Sequence, residues 1–163
     1  MIVYGVVGWK NSGKTGLMER LVAHFVAAGL TVSTIKHAHH RVDVDTPGTD
    51  SFRHRGAGAK EVLLTSQNRW ALMHELSGEA ELSLEEAVAR LSPVDLVLVE
   101  GFKAGAHPKI EAHRQATGKA PLAAESASVR AVAADGPLNV PCPVLDLDDT
   151  AAIADFIRRD TGL

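Results

Sequence analysis

Gly8-Trp9-Lys10-Asn11-Ser12-Gly13-Lys14-Thr15 decides how the rest of this chain is read. It satisfies G-x-x-x-x-G-K-[ST] at every fixed position, and the pattern carries weight only between a strand and a helix. Before it stands Met1-Ile2-Val3-Tyr4-Gly5-Val6-Val7, a short apolar stretch that reads as a buried strand. After it, residues 15–28 place Leu17, Leu21, Val22 and Phe25 at helical spacing. Gly8 and Gly13 reach backbone angles that a side chain forbids. Successive N–H groups then turn inward and form an anion nest. The helix opening near Lys14 adds unpaired N–H groups and the positive end of its dipole. In that geometry Lys14 reaches terminal phosphates and the Thr15 hydroxyl ligates Mg²⁺. The alternative is a chance match in a glycine-bearing turn, and the two correct flanks argue against it.

Outward from the loop, the pattern of an α/β chain continues. Ala27-Ala28-Gly29 ends the first helix, with Gly29 suited to a left-handed position. Residues 30–36 alternate and are β-branched, so they read as a second strand. The strand–helix–strand unit implies parallel pairing of these two strands through a right-handed crossover. Residues 51–55 read as a short helix stopped by Gly56-Ala57-Gly58, residues 61–66 as a third strand and residues 69–76 as its hairpin partner. Ser83-Leu84-Glu85-Glu86 has the form of a capping box for a helix running through Leu91, and Pro93 stops it. Val94-Asp95-Leu96-Val97-Leu98-Val99-Glu100-Gly101 is the strongest strand signal, apolar enough for burial on both faces. Residues 102–108 read as a loop, 109–114 as a strand, 116–126 as loop or short helix, 129–134 as a strand and 144–147 as a short final strand. Residues 149–159 read as a closing helix with Ile153, Phe156 and Ile157 inward. The expected fold is α/β, a mostly parallel sheet flanked by helices with a small hairpin extension, in a single domain over residues 1–163.

Bulk properties agree. A length of 163 residues suggests one domain, and folding at that size buries roughly 70% of the unfolded chain's surface. The net charge of −3 argues against a broad nucleic-acid or anionic-membrane surface, though not against a local basic pocket. The one cysteine, Cys142, excludes an internal disulfide and reads as a small packed residue. No apolar run reaches the ~20 residues of a membrane span, and the first residues enter a strand with no basic region or cleavage pattern. These features point to the cytoplasm.

A phosphate cradle needs an acidic partner for its metal. The strand at 94–99 offers two. Ligands bind outside the C-terminal ends of parallel strands, which favours Glu100 and leaves Asp95, near the strand start, a structural role. The polar loop at residues 37–50 holds three histidines and three aspartates and also follows a strand's C-terminal end. It is the candidate switch segment, with Asp43 or Asp45 available as a metal-bound carboxylate or γ-phosphate contact. His37, His39 and His40 raise a zinc or nickel reading, but no cysteine or defined fourth ligand accompanies them. For the base, the N-K-x-D guanine signature is absent. Asp135 is the candidate acceptor for guanine N1 and N2 groups, and it suits the turn Asp135-Gly136-Pro137 equally well.

Three segments carry a resemblance. The first is the loop at 8–15 with a following strand that ends Lys36-His37. The second is Asp45-Thr46-Pro47-Gly48-Thr49-Asp50-Ser51, then Arg53-His54 and Ala57-Gly58-Ala59. The third is Asp95-Leu96-Val97-Leu98-Val99-Glu100-Gly101-Phe102-Lys103, followed by Pro108-Lys109-Ile110-Glu111. Together they resemble the MobB family, the molybdopterin-guanine dinucleotide biosynthesis adaptor proteins, across essentially the whole chain. The resemblance implies a P-loop NTPase-like fold, GTP bound with Mg²⁺, weak GTPase activity and a homodimer. It also implies a supporting role beside molybdopterin guanylyltransferase and other molybdenum-cofactor proteins.

Carried over by position, Gly8, Trp9, Lys10, Asn11, Ser12, Gly13, Lys14 and Thr15 hold the phosphates, Thr15 and Glu100 the Mg²⁺, and residues 45–51 the facing loop. Glu100 and Asp45 are then the candidate catalytic and metal-holding carboxylates. Gly16 departs from the second threonine frequent in such loops and removes a hydroxyl contact to the α-phosphate. Lys10 stands one place later than the signature lysine of dimeric P-loop ATPases and is not assigned that cross-subunit role. Two rivals use the same loop. One is a small-molecule kinase drawing on Arg53, Arg55 and Arg69; the other is a metallochaperone GTPase using the histidines at 37–40.

Overall fold

The computed structural model describes residues 1–38 and 42–163. Strand β1 (Ile2–Val7) passes through the glycine-rich turn into helix α1 (Lys14–Ala27), in the order the sequence predicts. Helix α1 buries Leu17, Met18, Leu21 and Phe25. The three- and four-residue spacing visible in the sequence is thus the stripe packed on the sheet. The helix ends where Gly29 adopts φ 87° and the Leu30 N–H donates to the Phe25 carbonyl at 3.1 Å. That six-to-one bond closes the last turn and needs a residue that tolerates the left-handed region.

The remaining elements are β2 (Val32–Lys36), α2 (Asp50–Gly56), β3 (Glu61–Thr65), β4 (Trp70–His74), α3 (Leu84–Ala89), β5 (Leu96–Glu100), β6 (Lys109–His113), β7 (Val129–Ala134), β8 (Val144–Asp146) and α4 (Thr150–Thr161). Short 3-10 turns at Gln115–Thr117 and Leu122–Ala124 interrupt the loop between β6 and β7. Helix α3 is shorter than predicted. Its last residues close as tight turns, Arg90 N–H to Ala87 and Leu91 N–H to Val88, ahead of Pro93.

Six strands form one sheet in the order β2-β5-β1-β6-β7-β8, and every pairing in it is parallel. This corrects one expectation: β1 and β2 share the sheet but are not partners, because β5 lies between them. The reason is apolarity. Leu96, Val97, Leu98 and Val99 of β5 are fully buried, whereas β2 is only part-buried. A strand apolar on both faces belongs inside the sheet, and a mixed one belongs at its edge. Helices α1 and α4 cover one face, where Leu17, Leu21, Phe25, Ile153 and Ile157 pack with Tyr4, Leu98 and Ile110. A smaller cluster of Val7, Ala123, Val129, Val132 and Ala134 forms a second patch of core. No helix among the described residues is long and apolar enough to cross a membrane.

Strand β6 departs from the apolar rule. Its sequence is Lys-Ile-Glu-Ala-His, yet all five residues are buried. Each charge has a partner that explains it. The Lys109 ammonium donates to the Ser128 hydroxyl at 2.9 Å and to the Gly105 carbonyl. The Glu111 carboxylate accepts the Leu122 and Ala123 N–H groups at 2.9 and 3.0 Å and so caps the second 3-10 turn. Buried charges persist only with such partners. At the other end of the sheet, Asp95 ties the start of β5 to the start of β2. Its carboxylate accepts the Thr31 hydroxyl at 2.6 Å and the Thr31 N–H at 2.8 Å, and these bonds hold its pKa below the usual range.

The chain forms two compact units, Met1–His37 with Leu84–Leu163, and Ala38–Ser83. The second holds α2 and the antiparallel β3–β4 hairpin, which pairs Leu63 with Leu72. Arg55 organises this unit. Its guanidinium contacts Asp43 at 2.8 Å, Glu75 at 3.0 Å and Asp45 at 3.5 Å. Thr49 caps α2 by accepting the Phe52 N–H. The hairpin leaves Leu63, Leu64, Trp70 and Leu72 more than half exposed.

His107 gives the fold a pH dependence. Its ring packs on Gly5 and Gly105, and neither nitrogen has a hydrogen-bond partner among the described residues. Burial, aided by the charge of Lys109 and opposed by Glu85, lowers its pKa from 6.5 to about 4. The unfolded chain therefore holds more protons between these values, and stability rises with pH across that window. Acidifying from 6.5 to about 4 is expected to remove on the order of 2 kcal/mol, a figure discounted for partial solvent screening. Urea unfolding across that range measures it. His107→Gln should lose that part of the slope, and a wild-type–variant difference that stays constant with pH contradicts it.

Candidate phosphate site

The site is built where three strands end level with one another. In register, Val6 of β1 stands opposite Glu100 of β5, and Lys36 of β2 stands opposite Glu100 from the other side. The Glu100 carboxylate is 14% exposed and lies 3.7 Å from the Lys36 ammonium, itself 64% exposed. Two residues beyond Val6 the chain reaches Gly8, so the loop and Glu100 share the C-terminal edge of the sheet. Parallel α/β proteins bind ligands at that edge.

The loop folds as its glycines require. Gly8 has φ 146°, and a Cβ there would lie 2.3 Å from the Ala112 carbonyl oxygen and 2.5 Å from Ser12 Oγ. Gly13, at φ 92°, is the N-cap of α1 and supplies no side-chain cap. Asn11 also adopts positive φ, 66°, a region asparagine tolerates better than most residues. The Lys14 ammonium folds back to donate to the Trp9 carbonyl at 2.7 Å. Burial lowers the Lys14 pKa, the Glu100 charge opposes that shift, and Lys103 and Lys36 add to it.

Two observations test whether this loop suits a phosphate chain. The first turn of α1 has no side-chain cap, so its N–H groups are left for an external acceptor. Ser12 is buried, and its Oγ has no hydrogen-bond partner among the described residues. Both features fit an anion, and the exposed Thr15 and part-buried Glu100 supply hard oxygen donors of the kind Mg²⁺ takes. Space at Gly16 is open, the nearest atom to a built Cβ being Arg20 Nη1 at 3.7 Å. The lost hydroxyl there is a matter of chemistry and not of crowding.

Residues outside the sequence motif complete the surroundings. Trp9 donates its indole N–H to the Ala120 carbonyl at 2.9 Å. The same indole carries the Lys103 ammonium 4.4 Å from its ring centroid and that of Lys119 at 5.9 Å. Trp9, Lys10, Asn11, Ala116, Thr117 and Lys119 line an open cleft of about 450 Å³ beside the loop. The Arg114 guanidinium packs against Gly13, 3.2 Å from where a Cβ would sit. Lys103 stands in the third resembling segment and Arg114 at the end of the strand read over 109–114, yet the sequence assigns neither to the site, because neither belongs to the glycine pattern. Their available signal is position, each standing just past the C-terminal end of a strand flanking β1.

The predicted carboxylates differ in how free they are. Asp135 ends β7, is exposed, and has one oxygen accepting the Gln115 N–H at 2.9 Å. Asp45 lies in the second unit with Oδ1 hydrogen-bonded there and Oδ2 buried without a hydrogen bond among the described residues. Oδ1 accepts from Thr46 N–H, Thr49 Oγ1 and Ser51 Oγ at 3.0, 3.1 and 2.9 Å, and Oδ2 faces Arg55 at 3.5 Å. Arg55, one of the three arginines on which the kinase reading draws, is thereby held by carboxylates. Of the histidines, His37 stacks on Phe102 with centroids 4.5 Å apart, while His39 and His40 lie outside the described residues. Among the described residues, no group of three or more His, Cys, Asp or Glu side chains is placed to hold a metal ion.

A sequence profile of the family "Molybdopterin guanine dinucleotide synthesis protein B" (MobB) matches residues 3–135. The chain is 43% identical to the molybdopterin-guanine dinucleotide biosynthesis adapter protein of Escherichia coli (strain K12), over 91% of this chain and 87% of that one. The chain belongs to the MobB family. A Haemophilus influenzae adapter protein is 42% identical over 95% of this chain and 86% of its own length. Among solved structures, a MobB homolog from Bacillus stearothermophilus superposes with TM-score 0.75 at 32% identity, covering 98% of this chain and 97% of that chain. Bacillus subtilis MobB shares the fold with TM-score 0.77 at 23% identity, covering 99% and 98%. The MobB profile takes in β1 through β7, and with them the loop, Glu100 and Asp135.

Proposed function

We propose that this MobB-family chain is a GTP-binding adapter in molybdopterin guanine dinucleotide biosynthesis, with slow GTPase activity. The relatives named as adapter proteins support the pathway assignment. The uncapped helix N-terminus behind Gly13, with Lys14 and Glu100 beside it, carries the nucleotide reading. In this reading residues 8–15 wrap the phosphates, and Gly16 leaves the α-phosphate one contact short. Thr15 and Glu100 would hold a Mg²⁺ ion, which would neutralise phosphate charge. Asp135 offers its free oxygen to the guanine edge.

Slow hydrolysis follows from the side chains. Asp45 must leave its Thr46, Thr49, Ser51 and Arg55 partners before it can meet a metal or a water. Arg55 is equally committed to its carboxylates, so neither residue is ready to position water or to stabilise the transferring phosphoryl group, and hydrolysis without such help is slow. The partner implied is the guanylyltransferase that joins GMP to molybdopterin, which this chain assists without replacing. A homodimer is part of the same reading. The exposed Leu63, Leu64, Trp70 and Leu72 offer apolar surface that association would cover.

Glu100→Gln tests the metal assignment. The Lys36 pair it breaks is long, at 3.7 Å, and exposed on its lysine side, so it contributes little to stability. GTP titrations with and without Mg²⁺ are expected to lose about tenfold of the Mg²⁺-dependent affinity, the size of one charged contact. A variant whose Mg²⁺ dependence matches wild type removes Glu100 from the site.

A further inference from the structure

Lys103 is held in place by more of the fold than an exposed lysine needs. It stands three residues after Glu100, across a turn with two residues in the left-handed region, Gly101 at φ 106° and Phe102 at φ 49°. A Cβ on Gly101 would lie 2.8 Å from His37 Cβ, so the chain turns tightly against the end of β2. Phe102 keeps a backbone angle that bulky residues avoid, fixed by its stacking on His37. Such local strain survives only where the surroundings over-determine it, and it gathers at functional sites. Beneath the turn, the fully buried Lys109 donates to the Lys103 carbonyl at 3.5 Å as well as to Gly105 and Ser128. The backbone is pinned while the Lys103 side chain remains exposed.

That side chain rests on the phosphate loop itself, 4.4 Å from the ring centroid of Trp9. Among the described residues no carboxylate pairs with it. Its charge also falls on Lys14, whose pKa it helps to lower. A cation over the part-buried indole is held only by the ring's quadrupole, whereas an ammonium on a phosphate oxygen makes a charge-assisted hydrogen bond of about twice ordinary strength. We infer that Lys103 reads the terminal phosphate, its ammonium leaving the Trp9 ring for the γ-phosphate of the bound nucleoside triphosphate. This rests on the nucleotide reading above and adds to it a residue that separates triphosphate from diphosphate. Lys119, at 5.9 Å from the same ring, is the control for general positive charge.

The chain has two tryptophans, so a Trp70→Phe background leaves Trp9 as the sole indole reporter. Affinities for GTP and GDP are then read from its emission in the presence of Mg²⁺. Lys103→Met is expected to weaken GTP roughly tenfold and GDP by less than about twofold, and to abolish an emission change seen with GTP but not GDP. Lys103→Arg should recover most of the GTP preference, and Lys119→Met should leave it intact. Equal weakening of GTP and GDP in Lys103→Met, an unchanged ratio, or the same loss in Lys119→Met overturns the assignment. If wild type binds neither nucleotide, the nucleotide reading falls and this inference falls with it. If wild type binds both and only the ratio fails to move, Lys103 alone is rejected.

Discussion

Lys14→Ala is expected to lower affinity for Mg²⁺-GTP by at least about 100-fold, the size of two charge-assisted hydrogen bonds. The melting temperature should stay within about 2 °C of wild type. The two outcomes separate for a physical reason. In the free protein the Lys14 ammonium donates one hydrogen bond among the described residues, to the carbonyl of Trp9 in its own loop, and part-burial disfavours its charge. Removing it loses one hydrogen bond and relieves that burial cost, so the fold gains about what it loses. Binding has no such compensation, because the variant loses the ammonium's charge-assisted contacts to the phosphates and relieves nothing in exchange. Calorimetric titration paired with a thermal melt checks both halves. Unchanged affinity in a folded variant removes the loop from nucleotide binding.

Gly8→Ala should act on the fold and the site together. The new methyl would meet the Ala112 carbonyl oxygen at 2.3 Å, and that oxygen is backbone in the buried strand β6. It would also meet Ser12 Oγ at 2.5 Å while the residue sits at φ 146°. The Ser12 hydroxyl can rotate aside, but the backbone carbonyl cannot, so β1 and β6 must part or the loop must refold. A loss of roughly 3 kcal/mol or more follows, which lowers the melting temperature by about 6–12 °C for a chain of this size. Nucleotide binding should be lost at temperatures where the variant is still folded, since the nest depends on this backbone angle. Gly16→Ala, where a Cβ meets only Arg20 Nη1 at 3.7 Å, is the matched control and should do neither. A Gly8→Ala protein as stable as wild type contradicts the packing described for the loop.

The elements that were legible in the sequence are those whose signal is local. The loop announced itself through glycine spacing, α1 through its apolar stripe, and β5 through an unbroken run of Leu and Val that needs burial on both faces. The order of strands was not local. Pairing β1 with β2 is the short-range choice, and it fails because β5 competes for the inner seat with a more apolar surface. Strand β6 was legible as a strand over 109–114, but its complete burial was not. The charged or polar Lys109, Glu111 and His113 give no apolar signal, and their burial is visible only once Ser128, the Gly105 carbonyl and the second 3-10 turn are in place as partners.

The site divides in the same way. Glu100 was found by a rule about strand ends that holds whatever the sequence. Asp45 was read from composition, which could not reveal that Arg55, Thr49 and Ser51 would claim both its oxygens. Lys103, though part of a resembling segment, and Arg114 carried no site signal of their own, because what marks them is the approach of the phosphate loop from a distant part of the chain.

The account turns on one binding event. Calorimetric titration of the intact chain with GTP in the presence of Mg²⁺, repeated with ATP as competitor, tests it most directly. The expected result is one GTP site per chain, displaced poorly by ATP and abolished by Lys14→Ala. Absence of GTP binding at millimolar nucleotide, or binding that survives Lys14→Ala unchanged, would contradict the central claim.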